Sequence, residues 1–345
     1  MKRVNNLYQK ICDIENIKKA ILKASLGKRN RCDVKKVLSN MEYYSNAIQT
    51  ILEKELYRPT KNRTLIINER TKTREITMPR FFPDQIIHWA LMIVLEPIIM
   101  KGMYYYNCGN IPKRGGKLGK QYIEGILNKD KKVKYCLKMD IKKFYPTINI
   151  KILNKLFERK IKDTKTLNLI KLILGNGEKG IPLGYYTSQW FSNFYLEGLD
   201  HFIKEKLKAR YYVRYVDDMV IIDTNKRKLH KIRLEIQKYL NEKLDLELKN
   251  NYQVFPLKYR CIDFLGFKFY KNGKTKLRKH IFLKINRLVS KIKRKNYCSL
   301  KNARSLISLI GWLKQTISYK FYSEKIKPII KIGTLKRIIQ DNTKR

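Results

Sequence analysis

Residues 211–222, YYVRYVDDMVII, restrict what this chain can fold into more than any other stretch. A strand-like run, rich in β-branched and aromatic residues, stops at Asp217 and Asp218 and then resumes. Two like charges at the tip of a hairpin with buried arms are costly unless a cation sits between them. The rest of the chain therefore has to supply, or help to bind, that cation.

Composition narrows the partner. Lys and Arg number 77 against 29 Asp and Glu, a net charge of +48 spread from the first residues to the last. Such a chain repels itself unless a polyanion offsets the charge, so nucleic acid is the expected partner, with a generally basic proteome accounting for part of the excess. An anionic membrane fits less well, because no apolar run reaches the ~20 residues that a span needs. The longest candidate, Trp89–Met100, is interrupted by Glu96 and Pro97, and the start MKRVNNLYQK has no apolar signal core. The six cysteines (Cys12, Cys32, Cys108, Cys136, Cys261, Cys298) form no CxxC pair, and there are only four histidines. Zinc and a disulfide framework are therefore disfavoured, and reduced thiols in a cytoplasmic protein are expected.

Periodicity predicts polar helices over residues 1–55 and a β-hairpin in RTLIINERTKTREITMP (63–79). Pro83 is read as opening an amphipathic helix to about Met100, with Asp84 complementing the dipole in its first turn. Tyr104–Gly119 reads as a loop, KYCLKMD (134–140) as a strand, and the stretch to Leu174 as helical. A helix from about Thr187, the Asp-Asp hairpin, a helix near 226–244, a hairpin over roughly 261–277 and basic amphipathic helix beyond 280 complete an α+β chain.

A third carboxylate, Asp140, ends the apolar strand of LKMDIKKFYPTI. It can meet Asp217 and Asp218 if the two strands are neighbours in one sheet. Oxygen ligands of this kind suit Mg²⁺, which binds one or two carboxylates plus substrate phosphates. Two such ions ~3.5–4 Å apart would clamp the attacking and leaving oxygens of an in-line phosphoryl transfer. Taken singly, a strand-end Asp is usually a turn residue and an Asp-Asp pair is common on surfaces. Their joint occurrence is what points to a site.

In combination, the segments resemble the bacterial retroelement reverse transcriptases. YYVRYVDD is similar to their catalytic hairpin and LKMDIKKFYPTI to their first metal-binding motif. GIPLGYYTSQWFSNFYLEGLD resembles their template- and nucleotide-contacting motif, and IDFLGFKFY their later hairpin. The likeness extends upstream through REITMPRFFPDQIIHWAL and NCGNIPKRGG. The PLG…TSQ form looks most like enzymes of diversity-generating retroelements and their defence-associated and group II intron-like relatives.

The resemblance implies a right-hand polymerase with an antiparallel palm sheet. Its expected parts are N-terminal helices (1–55), fingers (56–133), palm (134–278, with a helical fingers insertion around 150–178) and helical thumb (279–345). It implies RNA-directed DNA synthesis from dNTPs with two Mg²⁺ ions, or Mn²⁺ in their place. Asp140, Asp217 and Asp218, with the Ile141 carbonyl, would hold the metals. Arg74 and Arg114 would grip the triphosphate, a bidentate task that suits Arg, with Lys113 and Lys117 as substitutes. Tyr145 would bar a ribose 2′-OH, and Leu183 and Gln189 would contact the nucleotide. Leu183 stands where many relatives have glutamine, which implies a looser check on the base pair and an error-prone enzyme. A lysine acting as general acid is not placed by the motifs, although Lys249 is near. On the last helical stretch, Ile285, Leu288, Val289 and Ile292 make an apolar stripe. Lys284, Arg287, Lys291 and Arg294 line another face suited to gripping the phosphates of an RNA–DNA duplex. Template RNA and, in a diversity-generating setting, a small helical accessory protein are the expected partners. The rival readings are a phage-defence enzyme, a template-independent nucleotidyl polymerase, and a non-catalytic nucleic-acid-binding scaffold.

Overall fold

The computed structural model describes residues 3–69 and 72–342. The charged turn of the first hairpin, at 70–71, and the chain ends lie outside them. The N-terminal helices are α1 (Leu7–Cys12), α2 (Ile14–Ser25), α3 (Cys32–Ser39) and α4 (Met41–Glu53). Strands β1 (Arg63–Glu69) and β2 (Lys72–Met78) pair as an antiparallel hairpin, with Ile67 opposite Arg74.

The helix expected at Pro83 opens there. Phe82 is extended at φ −109°, and the chain is helical from Pro83 through Gln85 into α5 (Ile86–Met100). Asp84 lies in the first turn, as expected, and has further partners. It is buried and accepts from Tyr57 Oη at 2.9 Å, from Thr60 N at 3.2 Å and from the Thr60 hydroxyl. The segment Phe81–Met100 is also longer and more apolar than the sequence reading allowed, and by length and composition it could span a membrane. Over half of it is buried inside the protein, where α5 packs against α1, α2 and α10 as a core helix.

Helix α6 (Gly116–Lys129) starts inside the stretch expected to be loop. Strand β3 (Tyr135–Asp140) leads into α7 (Phe144–Thr147), α8 (Ile150–Lys160) and α9 (Thr164–Leu174). The α9 cap, Asp163, also accepts from the Leu7 and Tyr8 amides at 2.7 Å each. One carboxylate thus joins the starts of two helices, where exposed N–H groups favour negative charge. Next come α10 (Tyr186–Tyr195), α11 (Glu197–His201), β4 (Tyr211–Tyr215), β5 (Asp218–Asp223), α12 (Lys226–Leu244) and β6 (Gln253–Pro256). The hairpin expected at 261–277 is a three-stranded antiparallel sheet, β7 (Ile262–Phe264), β8 (Phe267–Phe269) and β9 (Thr275–Leu277). The last helices are α13 (Lys279–Lys295), α14 (Leu300–Leu313), α15 (Tyr319–Phe321) and α16 (Ile332–Asp341).

The central sheet has the order β4-β5-β3-β6, all antiparallel. Leu137, Met139, Tyr212, Met219 and Ile221 face one core, shared with the N-terminal helices, α5, α10 and α12. Cys136, Val213, Val220, Ile222 and Phe255 face a second core, built with α6, β7–β9 and the C-terminal helices. Both faces are covered, which is why these strands read as near-continuous apolar runs. A one-residue slip would exchange every side chain between the two cores, so the register is strongly specified.

Candidate active site

The β3–β5 register sets Asp140 directly opposite Asp218, so two of the three aspartates meet at one end of the sheet. Asp217 occupies the β4–β5 turn, and its carbonyl accepts from the amide of fully buried Ile141 at 3.3 Å. Burial, reinforced by the neighbouring Asp140 charge, raises Asp217 to about 7. Burial likewise lifts Asp218 to about 6, although Lys138 opposes the shift.

Two lysines partly offset this acidity. Lys249 Nζ forms an ion pair with Asp140 Oδ2, and Lys138 Nζ stands 3.5 Å from Asp218 Oδ2 while donating to Asp263 O at 2.7 Å. Asp140 Oδ1 and Asp218 Oδ1 are nevertheless buried and, among the described residues, without a hydrogen-bond partner. Orphaned anionic oxygens are expensive and need an explanation. A divalent cation supplies one, and the all-oxygen donor set suits Mg²⁺ or Mn²⁺. Among the described residues, no three acidic, His or Cys side chains close into a ready-made metal cage.

The carboxylates open into a cleft of about 920 Å³ that is also lined by Arg74, Lys117, Tyr145, Leu183, Lys249 and Trp312. Arg74 arrives on β2. Tyr145 lies on α7, its hydroxyl 3.4 Å from Ser192 Oγ. Leu183 is fixed through its backbone, where its carbonyl accepts from Thr77 N at 2.7 Å. Gly184 has φ +120°, and a Cβ there would sit 2.4 Å from Thr77 O, so only glycine lets this loop dock on β2.

Two predicted nucleotide contacts lie elsewhere. Arg114 does not line the cleft: its Nη1 donates to Tyr104 O at 3.2 Å, and its guanidinium lies 5.1 Å over the Tyr105 ring. Lys117, at the start of α6, does line the cleft. Gln189 is one turn into α10, half-buried and outside the cleft lining. Lys284, Arg287, Lys291 and Arg294 are exposed on α13, away from the cleft wall, opposite buried Ile285, Val289 and Ile292.

A buried polar network that the sequence reading missed supports the turn that carries Asp217. Arg214 and Asp200 are both fully buried and form a bidentate pair through Nε (2.7 Å) and Nη2 (2.5 Å). Tyr212 Oη donates to the same carboxylate at 2.7 Å. Arg214 Nη1 reaches Asn193 Oδ1 at 3.1 Å and Val216 O at 2.8 Å. Val216 sits at φ +57°, immediately before Asp217, and Asn193 Nδ2 donates to Gly109 O at 2.6 Å. A Cβ on Gly109 would lie 2.5 Å from Val216 N, so the NCGN loop can pass beneath the turn only with glycine there. The available signal was Arg214 itself, a charge amid apolar strand residues that had to find a partner.

A covered antiparallel sheet, with carboxylates at one end and a cleft between two helical regions, defines a right-hand polymerase. The fold of an apo telomerase from Candida tropicalis agrees, with a TM-score of 0.53 at 14% identity over 89% of this chain and 62% of that one. The sequence model for reverse transcriptase (RNA-dependent DNA polymerase) matches residues 67–269, more than half of the chain, and the protein belongs to that family. Among curated proteins, a retron Ec73 reverse transcriptase from Escherichia coli is 30% identical over 145 residues. That alignment covers 38% of this chain and 46% of the retron enzyme, so the chain matches about half the length of that relative.

Proposed function

We propose that the protein is an RNA-directed DNA polymerase acting by metal-assisted phosphoryl transfer. The observation that carries this reading is the pair of orphaned buried oxygens on Asp140 and Asp218, beside acidic Asp217 in a cleft that Arg74 and Tyr145 also line. Asp140, Asp217 and Asp218 would hold the divalent ions, which when bound supply Lewis-acid stabilisation of the charge developing on the transferred phosphorus oxygens. Arg74 and Lys117, which line the same cleft, would take the triphosphate. Tyr145, which lines the same cleft, is suited to exclude a 2′-hydroxyl. Lys249 and Lys138 balance the carboxylates when the site carries no ion.

The exposed α13 residues Lys284, Arg287, Lys291 and Arg294 would hold an RNA–DNA duplex by its phosphates, a sequence-independent contact. Family membership and the six free thiols support a cytoplasmic retroelement enzyme. The retron relative favours a retron-type element over the diversity-generating one inferred from Pro182-Leu183-Gly184. The decisive experiment is extension of a DNA primer on a defined RNA with dNTPs and Mg²⁺, set against a template-free control. Templated addition supports the reading. Template-independent addition points to a terminal transferase, and tight binding without addition to a scaffold.

A further inference from the structure

The catalytic cleft is continuous with a second channel. Lys117 and Gln315 line both the cleft and a groove of about 690 Å³ between α6, the turn before β9 and the end of α14. Ile317, which is 60% exposed, is shared by that groove and a further one of about 440 Å³ beside β8 and β9. Lys120 and Lys314 line the first groove, and Lys268, Lys276 and Lys279 the second, with Tyr270 and Phe282 between them. Among the described residues, Glu124 is the one acid lining either groove, and Lys120 already pairs with it at 2.6 Å.

The sheet register sharpens the point. Lys268 on β8 stands directly opposite Lys276 on β9, both on the face turned away from the core. Like charges directly opposite each other destabilise a strand pair. The neighbouring acid across β8, Asp263, is engaged by Arg278. Among the described residues, Lys268, Lys276 and Lys279 have no ion-pair partner of their own. Lys276 Nζ lies 5.6 Å over the Tyr270 ring, beside that pairing, and a phosphate bound between Lys268 and Lys276 would offset their like charges. Lysines interleaved with Tyr270 and Phe282 make the surface that single strands use, with charge for the backbone and rings for the bases.

We propose that this track, leading from the cleft past Lys117 and Ile317 to Lys268, Lys276 and Lys279, carries a single-stranded polynucleotide extension of the duplex held at the active site. The inference rests on the polymerase reading above, but its test is separable from it.

The full-length chain is titrated with RNA–DNA primer–template duplexes, either blunt or carrying a tail of about 12 nucleotides on one end or the other, within the span of known single-strand sites. The expected result is that a tail at one end tightens binding roughly tenfold, and that end identifies the strand. Lys268→Gln/Lys276→Gln/Lys279→Gln removes this gain. It also lowers the log–log salt slope for the tailed duplex by about 2, from three lost contacts at ~0.7 each. Affinity for blunt duplex and single-nucleotide addition stay at wild-type levels. Exposed Lys276→Gln alone gives a smaller change in the same direction and guards against misfolding of the triple variant. Affinity independent of tails in the wild type, or a tail gain that survives the triple substitution, overturns the proposal. If tails tighten binding while no primer is extended, the track stands and the polymerase reading falls.

Discussion

Strand β4 serves two acid centres that lie close together and are built on opposite principles. Asp200 is fully buried and saturated, its oxygens taken by Arg214 and Tyr212. Asp217, in the turn that follows this strand, and Asp218, at the start of β5, are raised to about 7 and about 6, and Asp218 keeps a buried oxygen without a partner. A centre of the first kind holds geometry. A centre of the second kind stores electrostatic cost until a ligand relieves it. Arg214 connects them, because the guanidinium that neutralises Asp200 also fixes the Val216 carbonyl just before Asp217. Rigidity in one centre permits the other to remain unsatisfied without collapsing.

The contrast breaks most visibly at Asp217. Asp217→Asn should lower the rate of nucleotide addition ~10³–10⁴-fold, about 4–5 kcal/mol of transition-state stabilisation. Duplex affinity and thermal stability should hold, because removing one of several crowded carboxylates relieves repulsion. A mutant that retains substantial incorporation in Mg²⁺ would show that Asp217 is not part of the metal site.

Asp200→Asn should do the reverse. Breaking a buried ion pair leaves Arg214 charged and unpaired, at a cost of about 3–4 kcal/mol in denaturant unfolding. Asp200→Leu combined with Arg214→Met should recover most of that stability, since apolar pairs often replace buried ion pairs without loss. The double variant should remain slow, because Val216 O then lacks its donor. Recovery of stability and rate together would show that the network only fills space.

The sequence disclosed the second centre and hid the first, and the reason is physical. Asp140, Asp217 and Asp218 interrupt apolar strands, and period-two alternation with antiparallel pairing brings them to one sheet end. Asp200 lies on a helix, and nothing local ties it to Arg214, 14 residues on. Asp84 was legible in part: its place in the first turn of a helix could be read, whereas its donors Tyr57 and Thr60, far off in sequence, could not. Arg114 was read from its motif position, but nearby Tyr104 and Tyr105 hold its side chain. The architecture was legible because both faces of the central sheet are covered, while cross-element hydrogen bonds leave no periodic trace.

Acidity separates the centres more gently. In EDTA, Asp217 and Asp218 bind protons more tightly when folded than in the unfolded chain, where a carboxylate titrates near 3.8. Their contribution is therefore fully present below that value and is lost as pH rises through about 6 to about 7. Melting temperature in EDTA should fall across this window, Mg²⁺ should remove much of the fall, and Asp217→Asn should flatten it. A profile indifferent to Mg²⁺ would mean that no ion binds these carboxylates.

The cleft walls repeat the contrast on a smaller scale. Tyr145 is tethered by its hydroxyl, and Tyr145→Ala should raise ribonucleotide over deoxyribonucleotide incorporation by roughly tenfold, as losing a steric contact worth ~1–2 kcal/mol would do. An unchanged sugar preference would make it a packing residue. Leu183 is the softer case. Its backbone is locked by Thr77 and Gly184, so its position is fixed, yet its side chain offers only dispersion contacts to whatever occupies the cleft. Apolar contact tolerates a displaced base pair, whereas a polar contact resists one by leaving a buried group unpaired. Leu183→Gln should therefore lower misincorporation opposite each template base by up to about tenfold, the effect of ~1–2 kcal/mol. The fixed backbone makes the comparison clean, since the substitution changes chemistry without moving the loop. Equal error spectra in the two enzymes would mean that Leu183 fills an apolar slot and that fidelity is set by other residues of the cleft.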